Sequence, residues 1–255
     1  MVIKFNCELS RLNFTRMFVR QKVSWNTVNS PLRLGLFGLS AILIILAIYL
    51  IFMWVPTEVN LGVSQRIFYF HVPLAWIGMI SIFVVGLASL IHLIGGGDKW
   101  DAVAYSAAEI GVIFATLILV TGAVWAKPAW GVWWSWDPKL TTTLILWFIY
   151  VAYLMVRSFG PVGQQGRRYA SVVAFLGAID APFIYLASVW WRTLHPELNI
   201  GPLADADLDN KMLLTFLITL LAFTVFYVYI LIERINMRRI EDSLDEVYQH
   251  VSVSG

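Results

Sequence analysis

The stretch Trp130-Gly131-Val132-Trp133-Trp134-Ser135-Trp136-Asp137 places four tryptophans within seven residues, and Trp125 lies just upstream. Tryptophan combines the largest apolar side chain with one N–H donor, so such a cluster forms a flat aromatic surface with a polar edge. The stretch is too short to cross a bilayer. We expect it to lie along a membrane surface and to present a shelf to a large, flat, apolar ligand.

The same stretch is predicted to be a short amphipathic helix. Helical spacing places Trp130, Trp133 and Trp134 on one face. Pro128 can start this helix, and Pro138 is expected to end it.

The composition of the chain predicts a membrane protein that crosses the bilayer several times. Of its 255 residues, 59% are hydrophobic and 13% are charged, and the mean hydropathy is +0.74. Soluble domains have roughly 45–50% apolar and about 25% charged residues. Residues 1–30 have no apolar core of the kind that a cleaved secretory signal needs, so the first apolar run is expected to stay attached. Cys7 is the single cysteine, which rules out an internal disulfide, a CxxC pair and a CxxCH haem attachment site.

Six apolar runs are long enough to cross a bilayer, so we predict an all-α integral membrane protein with one six-helix domain over 1–255. The predicted spans are 32–54, 72–94, 102–125, 140–158, 170–190 and 211–233. Between and around them lie an N-terminal arm (1–31), the tryptophan-rich segment in the outer loop between helices 3 and 4 (126–139), a second outer loop (191–210) and a C-terminal tail (234–255).

The distribution of lysine and arginine predicts that both termini are cytoplasmic. Thirteen of the 18 basic residues fall on the side of the termini and only five on the other side. Nine of the twelve tryptophans fall on the opposite, outer side, and only Trp25 and Trp100 fall on the inner side. Aromatic belts normally form at both membrane surfaces. An anchored outer loop therefore explains the excess less well than a binding surface does.

Two histidines lie on the tryptophan side of the membrane. His71 is at the outer mouth of the second span, and His195 is just beyond the fifth, whereas His92 and His250 are on the inner side. A lone interfacial histidine is usually structural. Because two of them occur here, each beside aromatics and just before a proline, a ligand role explains them as well as a structural role does.

Two imidazoles beside an aromatic shelf can hold zinc or haem. Zinc needs further ligands, and the outer carboxylates of 197–209 are more easily interpreted as a solvated loop. Haem iron accepts two axial histidines, its ring stacks on tryptophan, and its propionates need cations. Four outer cations lie close to these motifs in sequence, although lipid headgroups are an equally good explanation for each: Arg66, Lys127, Lys139 and Arg192.

Two carboxylates fall inside predicted spans, Asp180 in the fifth and Glu109 in the third. Intramembrane carboxylates are functional candidates by default. We expect these two to pair with hydroxyls or with backbone groups freed by Pro182, slightly in preference to forming a proton path.

The segment from Thr121 to Asp137 resembles the tryptophan-rich "WWD" signature of the haem-handling membrane proteins. Within that superfamily the chain is similar to the C component of the bacterial cytochrome c maturation system, the haem exporter protein C family. The motifs Arg66-Ile67-Phe68-Tyr69-Phe70-His71-Val72-Pro73-Leu74-Ala75-Trp76 and Trp190-Trp191-Arg192-Thr193-Leu194-His195 carry the same resemblance, which covers roughly residues 55–235. Two features depart from the family pattern: Ala126 replaces a usual glycine, and Pro138-Lys139 follows the aspartate as in the larger haem-lyase branches.

The resemblance implies a haem-binding and haem-transfer protein rather than an enzyme. It implies a multi-pass protein of the bacterial inner membrane that holds haem b transiently and non-covalently at the periplasmic face. The implied partners are a membrane-anchored periplasmic haem chaperone (the E component), the transporter subunits A and B, and a small single-span D subunit, with no nucleic acid. His71 and His195 would be the axial ligands of the iron. The other implied haem-site residues are Trp125, Trp130, Trp133, Trp134, Trp136, Asp137, Arg66, Lys127, Lys139 and Arg192.

Two other function classes stay open at this stage. A haem b electron carrier of a quinol oxidoreductase would bury its ligands within facing helices, and only His92 lies inside a predicted span. A membrane enzyme or transporter would use Asp180 and Asp137 with the histidines as acid–base groups, but it would leave the tryptophan excess without a role.

Overall fold

A computed structural model describes residues 30–161, 163–191, 195 and 209–254 of the chain. These residues form six α-helices: α1 (Pro31–Tyr49), α2 (Phe68–Leu93), α3 (Asp98–Trp130), α4 (Pro138–Phe159), α5 (Gln164–Trp190) and α6 (Asn210–Ser254). A π-helical turn, Leu50–Trp54, extends α1, and a 3₁₀ helix, Val63–Ile67, leads into α2. The extended backbone pairing in the described ranges is a single bridge between Glu58 and Gly62.

The helices confirm the predicted all-α membrane class. Five segments are long and apolar enough to cross a bilayer: Pro31–Trp54, Val63–Leu93, Asp98–Trp130, Pro138–Phe159 and Asn210–Asp245. At 27 residues, α5 is also long enough. A sixth crossing, by α5, stays a prediction. The division into arm, loops and tail also stays a prediction, and the arm (apart from its last two residues) and most of the second outer loop lie outside the described residues.

The predicted helix over 128–137 is wrong. Pro128 lies in the last turn of α3, which ends when Gly131 adopts a left-handed conformation with φ of 78°. Pro138 starts α4 rather than ending a helix, because proline is tolerated at the first helical position, where no backbone N–H is needed. The Asp137 carboxylate caps α4 by accepting the backbone N–H of Lys139 at 3.0 Å.

α2 is the central helix, and it packs against α3, α5 and α6. Glycines allow its closest approaches: a Cβ at Gly86 would lie 2.5 Å from the Ala178 Cβ, and one at Gly78 would lie 2.9 Å from Ile118. α4 packs on α5 and α3, while α1 packs on α6. The core therefore surrounds α2, and the ends of α2 are held firmly relative to its neighbours.

Ion pairs are concentrated at the end of the bundle that carries the α2–α3 and α4–α5 connections. Asp101 is fully buried, and its carboxylate accepts a hydrogen bond from Arg157 at 2.9 Å, with Arg167 at 3.9 Å. Glu109 accepts two hydrogen bonds from Arg234, at 2.5 and 3.0 Å. The expectation that Glu109 pairs with hydroxyls or backbone is therefore wrong, because its partner is a guanidinium that is distant in sequence.

We predict that Arg157→Met destabilises the fold by about 3–5 kcal/mol, because it leaves the Asp101 carboxylate buried without its closest counter-charge. Adding Asp101→Asn should recover part of this loss, since no unpaired buried charge then remains. The free energy of unfolding in detergent measures both effects. Exposed Arg239→Met is the matched control, and equal losses in Arg157→Met and the control would contradict the assignment.

Candidate functional site

His71 lies in the first turn of α2, at the end of the bundle opposite the ion pairs. The predicted second span began after it, but α2 starts at Phe68, so a helix positions the imidazole. The 3₁₀ helix Val63–Ile67 leads directly into α2 and fixes the path of the chain before it. The side chain is buried, with 8% of the residue exposed.

Thr121 of α3 orients the His71 ring. The Nδ1 atom of His71 lies 2.9 Å from the Thr121 hydroxyl oxygen. That hydroxyl already donates its single proton to the Leu117 carbonyl at 2.7 Å. The threonine oxygen must therefore accept, so Nδ1–H donates and the lone pair of a neutral imidazole is on Nε2. Such a hydrogen bond fixes the tautomer and the orientation of a ligating histidine.

Gly122 makes room for this arrangement. A Cβ at position 122 would lie 3.1 Å from the Cε1 atom of His71, which is tighter than ordinary van der Waals contact. Thr121 and Gly122 therefore act as a pair: one residue holds the ring, and the next lets it lie against α3. Neither residue is predicted from the sequence to be part of a site, although both precede the tryptophan stretch in the same motif.

His195 comes from the segment after α5 and meets His71 across the site. The centroids of the two imidazole rings are 6.4 Å apart, with an angle of 39° between their planes. Trp130 lies edge-to-face with His195 at 6.3 Å, and Trp125 lies 5.8 Å from His71. The structure thus brings together both predicted ligands and two of the predicted tryptophans, from α2, α3 and the chain after α5.

The separation of the two rings fits a shared metal. A metal–imidazole bond is about 2 Å and the ring centre lies roughly 1 Å further, so two imidazoles on opposite sides of one metal have centroids about 6 Å apart. The observed 6.4 Å matches this value. The described residues contain no group of three or more His, Cys, Asp or Glu that could hold a metal.

The tryptophan stretch is non-helical from Gly131 to Asp137 and is therefore not a single helical face. Trp133 and Trp136 are exposed, whereas Trp134 is half-buried and lies edge-to-face with Trp136 at 5.8 Å. The indole N–H groups of Trp125 and Trp134 are buried and have no hydrogen-bond partner in the described residues. Buried donors are normally satisfied, so these two are available to a polar ligand group.

The predicted cations are distributed unevenly around this site. Lys139 is near enough to His71 for its charge to act on the imidazole. Lys127 is exposed and donates to the Gly131 carbonyl at 2.8 Å. The guanidinium of Arg66 lies 5.8 Å from the Phe52 ring, and its buried Nε has no partner in the described ranges. Arg192 lies outside the described residues.

The other histidine of α2 belongs to the opposite end of the bundle. His92 is buried, and its Nδ1 lies 3.2 Å from the Gly97 carbonyl. It therefore lies at the ion-paired end of the bundle, away from His71 and His195.

Comparisons with known proteins support one family. A family model described as "Heme exporter protein C" matches residues 18–248. A protein of that name from Bradyrhizobium diazoefficiens is 34% identical over 173 residues, which are 68% of this chain and 66% of that protein. One from Haemophilus influenzae is 30% identical over 187 residues, 73% of this chain and 76% of that protein. A "cytochrome c biosynthesis ccmC-like mitochondrial protein" of Marchantia polymorpha is 33% identical over 183 residues, 72% and 78% of the two chains.

We predict that Thr121→Val lowers the affinity for ferric haem by about 10- to 100-fold, because the His71 ring loses the acceptor that orients it. Thr121→Ser keeps the hydroxyl and should retain most of the affinity. Absorbance titration of the purified protein with haem measures the effect.

Thr116→Val is the matched control. Thr116 lies on the same helix, makes the same bond to the carbonyl four residues earlier at 2.8 Å, and accepts from Trp147 instead of a histidine. If both valine variants weaken haem binding equally, the orienting role of Thr121 is wrong.

Proposed function

Because the chain belongs to the haem exporter protein C family, we propose that it binds haem between His71 and His195 and hands it on for cytochrome c maturation. The haem is cargo, held at the periplasmic face of the inner membrane and delivered to a membrane-anchored periplasmic chaperone, the E component. The chain works with transporter subunits A and B and with the single-span D subunit.

One observation carries this proposal: two imidazoles from distant parts of the chain lie 6.4 Å apart between centroids, beside Trp125 and Trp130. Iron bound there supplies two axial coordination positions, and the porphyrin supplies a flat apolar ring for the indoles. Lys139 and Arg66 are the described cations best placed for the propionates, with Lys127 and Arg192 nearby in sequence.

The unequal settings of the two ligands support transfer rather than permanent storage. His71 is anchored within α2 by Thr121 and Gly122, whereas His195 is a non-helical residue beyond the end of α5. Residues on loops move more readily than residues within packed helices. A haem can therefore stay attached to His71 while His195 is displaced, which opens one face of the iron to an acceptor.

The membrane orientation follows from the separation of charge between the two ends. The ion-paired end carries the connections and the tail that hold most of the lysine and arginine, and positive charge favours the cytoplasm. The histidine site is at the other end, which would face the periplasm. This orientation requires α5 to cross the membrane as the sixth span.

The alternative role as a haem b electron carrier receives less support from the geometry. A permanent cofactor would be expected between two facing helices, and α2 carries its two histidines at opposite ends, His71 and His92. His195 is not within a described helix. The cargo role therefore accounts for more of the observed arrangement.

We predict that haem-loaded protein has the absorption spectrum of six-coordinate, low-spin, bis-histidine haem. His71→Ala and His195→Ala should each abolish that spectrum, because each removes one axial ligand. His92→Ala is the matched control: the same substitution in α2 at the other end of the bundle should leave the spectrum unchanged. An unchanged spectrum in both outer variants would refute the ligand assignment.

We predict that Trp133→Ala and Trp134→Ala weaken haem retention or slow its transfer, at about 0.5–1.5 kcal/mol for each lost aromatic stack beyond buried area. The rate of haem transfer to the purified chaperone measures the effect. Trp100→Ala, at the opposite end of the bundle, is the control. If Trp133→Ala and Trp134→Ala both transfer haem at the normal rate, the tryptophan stretch has no role in haem binding and serves only as a membrane anchor.

A further inference from the structure

One face of α6 is covered by α1 over much of the length of α1. The rings of Phe37 and Tyr229 lie 5.6 Å apart, and closer to the start of α1, Arg33 forms an ion pair with Glu233. Because α1 begins at Pro31, the part of α6 that α1 covers ends close to Glu233.

The apolar face of α6 continues past the point where α1 begins. Met237, Ile240 and Leu244 follow Glu233 at steps of four, three and four residues, which places them on the same side of the helix. They are 54%, 41% and 48% exposed, respectively. We call these three residues the tail stripe. By the predicted spans the stripe lies beyond the membrane, so water is its alternative neighbour.

The neighbouring face of the tail is fixed to the bundle. The Arg238 guanidinium lies 4.4 Å from the centre of the Tyr105 ring and forms an ion pair with Asp242 at 2.9 Å. Arg234 joins Glu109 of α3 to Glu241 of the tail. These contacts set the direction of the tail, and they leave the tail stripe on a side that the described helices do not cover.

We propose that the N-terminal arm, residues 1–29, covers the tail stripe. The stripe extends the α1–α6 interface, and the arm is the part of the chain that immediately precedes α1. As a helix, 29 residues reach about 44 Å, which is longer than the roughly 27 Å of tail after residue 236. The arm is therefore joined to α1 next to the start of the tail stripe, and it is long enough to extend along the whole stripe.

The charges of the two segments are complementary. The arm has five lysines or arginines and one glutamate. From Glu241 to the C-terminus, the tail has four carboxylates and no lysine or arginine. Opposite charges at the rim of an apolar contact set partner and register more than they add affinity.

The arm also has apolar residues at helical spacing. Phe5, Leu9, Leu12, Val19 and Val23 recur at steps of four, three, seven and four residues. This is the pattern that packs one helix along another. Because α1 runs antiparallel to α6, we expect the end of the arm nearest Pro31 to meet the start of the tail.

Cysteine cross-linking of the full-length protein in membranes tests this contact. In a Cys7→Ser background, Val23→Cys is combined with Ile240→Cys or Leu244→Cys, and disulfide formation is followed under mild oxidation. A disulfide needs Cβ atoms about 4 Å apart, so its rate reports proximity. We expect fast intramolecular disulfides in these pairs, and several times slower formation when Phe5→Cys replaces Val23→Cys.

Arg239→Cys is the matched control, since residue 239 is exposed but lies on another face of α6. Val23→Cys paired with Arg239→Cys should cross-link slowly. Equal rates for positions 239, 240 and 244, or no disulfide in any pair, would overturn the proposal. Cross-links between two chains would show that a second copy covers the stripe and would also overturn it.

Charge reversal provides a second measurement on the same variants. Asp245→Lys with Glu246→Lys should slow the 23–240 disulfide at low salt, and Arg16→Glu with Arg20→Glu should restore its rate. If anionic lipid holds the basic arm instead, Arg16→Glu with Arg20→Glu should weaken its contact with the membrane and should not restore the disulfide rate. Failure of this test leaves the haem site untouched, because the tail stripe is at the opposite end of the bundle.

Discussion

The close packing of α2 against α3 is the constraint on which the site around His71 depends. It brings His71 next to Gly122 with room for hydrogen only, and it places the Thr121 hydroxyl 2.9 Å from Nδ1. A larger residue at 122 would push the ring away, and a residue without a hydroxyl at 121 would release it. The same helix pair carries Trp125 and Trp130 at the level of the two imidazoles. A rigid interface between two helices therefore prepares one half of a ligand site.

The two ends of the bundle have different physical characters. At the ion-paired end, buried charges such as Asp101 and Arg157 join helices that are distant in sequence, and such pairs specify an arrangement more than they add stability. At the histidine end, two imidazoles lie beside the indoles of Trp125 and Trp130. One end thus fixes the helices and the tail, while the other end gathers aromatic side chains that can bind a ligand.

The helices could be predicted from the sequence, because an apolar run of about 20 residues in a bilayer can satisfy its backbone hydrogen bonds by forming a helix. It was misleading at the tryptophan stretch, where helical spacing competes with proline and glycine chemistry: Gly131 ends α3 and Asp137-Pro138 starts α4. The two histidines that were predicted as ligands do lie close together. The contacts that depend on helix packing could not be predicted from the spacing of residues in the sequence. The hydrogen bond between His71 and Thr121 and the ion pair between Glu109 and Arg234 depend on which faces of the helices pack together. The amino-acid sequence alone does not show which faces these are.

The central claim is that one iron lies between two particular imidazoles. An experimental density map of the haem-loaded protein in lipid nanodiscs locates the iron directly. The account predicts iron about 2 Å from Nε2 of His71 and at a similar distance from a ring nitrogen of His195, with the porphyrin against Trp125 and Trp130. Iron bound by a single histidine, or haem located elsewhere in the molecule, would contradict it.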